Sequence, residues 1–168
     1  MTTDPVAPTT IPRTTTTTST PDFSFDDSVP PPKLINTGTN YVAILKSLSA
    51  YGNWLAAHRP DPALVSTIVA GGTKENELFK RDLTRLRDNN RRATEQLGDP
   101  TLYTILSARP DAFSAKSVED IRVHRSILPT GKIGNEVRYT GRTTSLILVV
   151  LVHNRWHFAA YDAQPSMK

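Results

Sequence analysis

The chemistry open to this chain rests on four histidines, His58, His124, His153 and His157, and on the carboxylates and phenols that could reach them. His124 is the better acid–base candidate. It follows Asp120 and Arg122 at a period of two, on one face of one strand. A side chain four residues along a strand is roughly 13 Å distant, so Asp120 cannot orient His124 directly. A partner must come from another strand, and Tyr139 and Asp162 are the candidates. Proton transfer requires such groups within hydrogen-bond reach. His153 and His157 have an i, i+4 spacing. That spacing converges on a metal from a helix, but not across a turn and a strand. There is no cysteine, which removes disulfides, thiolate metal sites and cysteine nucleophiles. "GGTKENE" lacks the Gly-x-x-x-x-Gly-Lys spacing of a phosphate cradle. No cofactor and no metal are expected.

Charge suggests a different use. The first 32 residues hold four aspartates against one arginine, so the remainder of a +4 chain carries +7. Arg81, Arg85 and Arg92 mark a basic helix that could meet a protein partner, an acidic protein or an anionic lipid surface. Nucleic acid is not the expected partner, because Asp82, Asp88 and Glu95 interrupt the basic run and no aromatic ladder interleaves it. His157 and Tyr161 share a parity opposite to Trp156, Phe158 and Ala160. They are expected on an outer sheet face, where a partner or a second copy of the chain would cover them.

These residues need elements to position them. Residues 1–32, with "TTTTTST" and "VPPPK", are too poor in apolar side chains to offset ordering entropy. They read as a disordered Thr/Pro-rich tether, in which "FSFDD" could dock on the basic domain. The domain proper is expected over 33–168. In "YVAILKSLSAYGNWLAAH" apolar residues recur at three- and four-residue steps, predicting a helix that ends at His58-Arg59-Pro60. A short helix follows, with Asp61 as cap and Pro62 at its first position. A third starts near Thr73, turns Leu78, Phe79, Leu83 and Leu86 inward, and runs on into the polar "RDNNRRATEQL".

After residue 101 the period becomes that of strands. "LYTILSA", "SVEDIRVHRSIL", "EVRYTGRTTSLILVVLV" and "WHFAAYD" predict an antiparallel meander, with a bend at Gly141 and a turn at "HNR". The run Leu146 to Val152 is apolar at both parities, which predicts burial on both faces. The class is α+β, with helices packed on an antiparallel sheet. No apolar run reaches the roughly 20 residues that span a bilayer, and the N-terminus has no leader pattern. The chain as written is expected in the cytoplasm, or outside it if a leader or anchor precedes.

The opening helix, the short helix "PALVSTIVA" and the terminal hairpin "LILVVLVHNRWHFAAYDA" resemble the NTF2-like (SnoaL-like) superfamily. The hairpin is similar to that of bacterial envelope accessory domains such as Mce-associated proteins. The resemblance implies a curved sheet wrapped around helices as a cone. It implies either a non-enzymatic, tethered scaffold that binds a protein or itself, or a pocket that binds or isomerises a small molecule. The pocket form would need Tyr41, Tyr51 or Trp54 facing Tyr103, His124 or Tyr139. A filled interior would dispose of it, and an open cavity would favour it.

Overall fold

A computed structural model describes residues 25–97 and 102–165, without the side chains of 95–97, 120–122, 139–140 and 163–165. The expectation of a disordered tether therefore lies, for residues 1–24, outside the described residues. By Phe25 the chain already lies against the domain. The Asp26 N–H donates to the His58 carbonyl (2.9 Å), and Ile35 N–H donates to Ser47 Oγ (2.6 Å).

Helix α1, Tyr41–His58, starts where Asn40 Oδ1 accepts from Ala43 N–H, and it ends before Pro60. Its stripe Ile44, Leu45, Leu48 and Leu55 is fully buried. A short 3-10 helix, Pro62–Thr67, is capped by Asp61. Helix α2, Lys74–Asp88, is capped by Thr73 and places Glu75 and Glu77 in its first turn, where they complement the helix dipole. The expected continuation of α2 is overturned. Asn89 caps the helix, Asn90 takes a left-handed φ of 50°, and Arg91 N–H donates back to the Leu86 carbonyl. This is the Asn-terminated C-cap, which satisfies the last carbonyls and turns the chain away. Residues Arg92–Leu97 then form strand β1.

Strands β2 (Leu102–Ala108), β3 (Ala112–Ile127), β4 (Ile133–Val152) and β5 (Arg155–Pro165) complete one antiparallel sheet. Its order is β1-β3-β4-β5, with β2 also pairing β3. β1 pairs with Arg122–Ile127 and β2 with Phe113–Val118, so they lie end to end along one edge of β3. The bend expected at Gly141 is present. Its φ is +114°, and the β3–β4 register shifts there, between Glu119 and Ile121. An extra residue in one strand bends and twists the sheet locally, and glycine tolerates the required φ. His153 and Asn154, with φ of 49° and 62°, make the two-residue turn between β4 and β5. Both positive angles match the turn whose twist suits a hairpin.

The far edge of β5 is covered. Phe158 N–H donates to the Ile68 carbonyl, Ala70 N–H donates to the Phe158 carbonyl, and Trp156 N–H donates to the Asn36 carbonyl. These bonds cap an edge that would otherwise template another strand. The inner sheet face packs on α1: Leu45, Leu48, Phe113, Val149 and Trp156 share one core cluster, with Phe158 against it. Two-faced burial of β4 is overturned, since Ile147 and Val149 are buried while Leu146 and Leu148 are 42% and 40% exposed. No helix among the described residues is long and apolar enough to cross a membrane.

Candidate functional site

The inner face of the sheet changes character along its length. On β3 the inward series runs Phe113, Ala115, Ser117, Glu119, all buried. On β4 the paired series runs Val149, Ile147, Ser145, Thr143. At the Phe113 end three rings close the cone: Tyr41 lies 4.5 Å from Phe113 and 5.8 Å from Trp156, and Phe113 lies 5.1 Å from Trp156. Trp156 Nε1 also donates to the Gly38 carbonyl at 2.8 Å.

At the Glu119 end the side chains are smaller and polar, and the helices do not fill the space. A cavity of about 410 Å³ opens between α1, α2 and the sheet. Ile68, Phe79, Ile147 and Phe158 give it an apolar wall. Its polar groups are Ser49 and Asn53 from α1, Glu75 and Asp82 from α2, and Tyr103, Ser117, Glu119 and Tyr161 from the sheet. Ser49 Oγ lies 3.4 Å from the Tyr103 hydroxyl, and the Ser145 hydroxyl donates to Tyr161 Oη at 3.0 Å. Glu119 is 4% exposed and Ser117 1%. Ser117 Oγ has no hydrogen-bond partner among the described residues. An unpaired buried hydroxyl costs free energy unless something satisfies it. Glu75, Asp82, Glu119, Tyr103 and Tyr161 are the ionisable side chains among these lining residues.

Tyr161 reaches this cavity through a bulge. Leu148 pairs with Ala160 and Val149 with Phe158, which leaves Ala159 as an extra residue on β5. The period-two reading placed Tyr161 on the outer face. The bulge reverses the parity, so Tyr161 pairs with inward Ile147 and Asp162 with outward Leu146. No feature of "HFAAYD" announces the bulge beyond the two small alanines at its centre.

The acid–base trio is not brought together. His124 is exposed and pairs with Val137 near the distal end of the hairpin. Asp162 is exposed at the Leu146 level, and Leu146 pairs with Lys116, eight residues from His124 on β3. That separation is roughly 26 Å along the strand. Tyr139 is the backbone partner of Arg122, and its side chain lies outside the described residues. Among the described side chains of the expected pocket residues, Tyr103 is the one that lines the cavity. Tyr41 closes the opposite end, and Tyr51 packs on Trp54 at 5.5 Å. Trp54 Nε1 donates instead to the Val29 carbonyl of the N-terminal segment.

The expected partner residues separate as well. Arg81 and Arg85 are exposed on α2. Arg92 sits on β1, its side chain 21% exposed, and its guanidinium lies 3.0 Å from the Asp26 carboxylate. His58 Nδ1 lies 3.1 Å from the same carboxylate, while Arg59 pairs with Asp27 and stacks over the Phe25 ring. The Ser28 hydroxyl, then His58 and Arg92, hold the Asp26 carboxyl down at about 2. His157 stays on the outer face beside Val150 but is only 9% exposed, with Nδ1 2.9 Å from the Arg155 carbonyl. Among the described residues no cluster of three or more His, Asp or Glu is placed to hold a metal.

A sheet that curls around two helices, closed at one end and open at the other, is the NTF2-like cone. No family model matches the chain, and no curated protein matches it in sequence. Solved structures do match in fold. The intermembrane space region of the chloroplast protein ARC6 superposes with a TM-score of 0.56 at 8% identity, covering 80% of this chain and 100% of that one. Aln2 from a Streptomyces species gives 0.51 at 11% identity, over 79% and 94% of the two chains. A candidate aromatic ring hydroxylase from Novosphingobium aromaticivorans gives 0.50 at 15% identity, over 77% and 90%. At these identities the likeness is one of fold.

Proposed function

We propose that the open end of the cone is a binding site for a small molecule. The observation that carries this reading is the cavity itself. It is of ordinary ligand-site size, mostly apolar, with a few convergent polar groups. The buried, unsatisfied Ser117 hydroxyl in its wall supports the reading. The acid–base chemistry that the resemblance implies would fall to Glu119, Tyr103 and Tyr161 rather than to His124, Tyr139 and Asp162. The test is saturation-transfer NMR of the full chain with a panel of single-ring aromatic fragments, repeated on Ser117→Leu, which fills the cavity floor. Binding lost in Ser117→Leu supports the site. Binding equal in the two proteins, or absent from both, removes it.

A second reading, the scaffold that binds a protein or a second copy, is favoured by one observation on the opposite face. Leu102, Leu146 and Leu148 are 61%, 42% and 40% exposed on that side of the sheet. An exposed apolar patch of this kind marks contact surfaces. Such a domain would serve as an accessory module, and a bacterial cell envelope is the setting that the sequence resemblance implies. One fold neighbour is itself the intermembrane space region of a larger protein. Sedimentation equilibrium of the chain and of Leu146→Asp/Leu148→Asp tests the self-association form. A monomer at every concentration in both proteins removes that form.

A further inference from the structure

We infer that the surface where α1 meets β1 is a docking groove for acidic, proline-rich segments of other proteins, and that residues 25–32 occupy it in cis. It is separate from the open-end cavity, with which it shares Asn53. The arm that leads into α1 is anchored in two different ways. Residues 33–36 are built into the fold. The buried Ser47 hydroxyl accepts from Ile35 N–H and donates to the Lys33 carbonyl, and the Asn36 carbonyl accepts from Trp156 N–H. Residues 25–27 are held at the surface: Asp26 by His58 and Arg92, Asp27 by Arg59, and Phe25 under the Arg59 guanidinium. Surface ion pairs are individually weak. The Asp26 N–H bond to the His58 carbonyl is one that any residue except proline can make. A segment held in this way can be displaced by another of the same chemistry.

Between the two anchors runs Val29-Pro30-Pro31-Pro32. A shallow, open trough of about 370 Å³ remains between Pro30 and Pro32 and the walls formed by Ala50, Trp54, Ala57 and Thr94. Trp54 Nε1 donates at 2.9 Å to the Val29 carbonyl, just before the first proline. A proline run has no N–H to donate and favours the polyproline II form, so it presents carbonyls and ring faces. An aromatic ring with a donor at its edge is suited to reading that surface. Charge gives the groove a direction, because His58, Arg59 and Arg92 meet the carboxylates that precede the prolines. The cis occupant thereby spells out the partner's chemistry: two acidic residues, a two-residue spacer and a proline run.

The probe is a fluorescein-labelled synthetic peptide, FDDSVPPPK, titrated into the full chain and read by fluorescence anisotropy. Asp26→Lys/Asp27→Lys in the chain sets like charges against His58, Arg59 and Arg92 and frees the groove. The peptide is expected to bind this variant about ten-fold more tightly than the parent, because cis occupancy lowers the apparent affinity by the free fraction. Asp27→Lys alone, at a side chain 75% exposed, gives the same comparison should the double variant not fold, with a gain of about three-fold. Adding Trp54→Phe to either variant should weaken the peptide about five-fold through the lost hydrogen bond. Replacing the three prolines of the peptide by alanine should also weaken it about five-fold, since the extended form is no longer preorganised. Equal binding by the parent and both arm variants, or binding by none, overturns the groove. An alanine peptide that binds as tightly overturns the proline reading. Self-association of the parent chain that the peptide disperses makes a second copy the occupant and overturns the separate partner.

Discussion

The two ends of the cone share β3, β4 and β5 and differ in what those strands point inward and in how far the helices fill the space above them. At one end Phe113, Val149 and Trp156 are buried in one core cluster with Tyr41 packed against it. At the other Ser117, Ser145 and Glu119 take the equivalent places, and about 410 Å³ stays open. The backbone is indifferent to this change, because inward and outward positions alternate whatever the side chains are. One end therefore stabilises the domain, and the other is free to be polar. Fold and site are properties of different residues on the same elements.

The contrast can be broken most severely at the closed end. Trp156→Ala removes the ring against which Phe113 and Tyr41 pack and also the bond to the Gly38 carbonyl. A loss of about 3–5 kcal/mol is expected, read from the denaturant midpoint. Near the open end the structure depends more on hydrogen bonds. Asn76, fully buried at the start of α2, donates to the Val69 carbonyl at 3.1 Å and ties α2 to the segment beside β5. Asn76→Ala should cost about 1–3 kcal/mol by leaving that carbonyl unsatisfied. A loss as large as that of Trp156→Ala would contradict the division between the two ends.

Within the cavity wall the expected sign reverses. Ser117→Ala deletes a buried hydroxyl that has no partner among the described residues. The variant should be as stable as the parent or up to about 1 kcal/mol more so. A clear destabilisation would mean that the hydroxyl is satisfied in solution. Leu148→Ala, on the outer face, should change stability by no more than about 0.5 kcal/mol in the monomer, against several for the inward Val149.

The smallest effect is local to residues 25–36. Asp26 has a folded pKa near 2, below its ordinary value of 3.8. Its contribution to docking is therefore complete above pH 3.8 and is lost as pH falls toward 2. Hydrogen exchange at the Asp26 and Ile35 amides should rise over that window relative to the core, after correction for the intrinsic pH dependence. In Asp26→Asn the rise should be absent.

Much of the fold was legible because local rules and burial agreed. The α1 stripe, the Asp61 cap, the start of α2 near Thr73, the bend at Gly141 and the His153-Asn154 turn each have a local cause in residue type. The end of α2 is not legible from polarity, because polar residues suit a fraying helix as well as a stop. The Asn89-Asn90 pair carried the stop signal. The run at 146–150 hides its two faces because leucine and valine look alike whether covered or exposed, and only the third dimension separates Ile147 from Leu148. The site was the least legible part. Ser117 and Glu119 are commonplace in a strand, and their meaning comes from the helices failing to reach them. Strict alternation puts Tyr161 on the outer face, and the unpaired Ala159 moves it to the inner one.

That single alanine sets which functional group the last strand contributes. Deleting Ala159 would restore strict alternation along β5 without touching any residue of the other four strands. Tyr161 would then follow Phe158 at a two-residue step and stay inward opposite Ile147; it is drawing Ala159 into the ladder, without deletion, that would turn the phenol to the convex side and bring Asp162 inward. In this architecture the pairing of one residue selects between two chemistries, and the choice is made by strand register rather than by substitution.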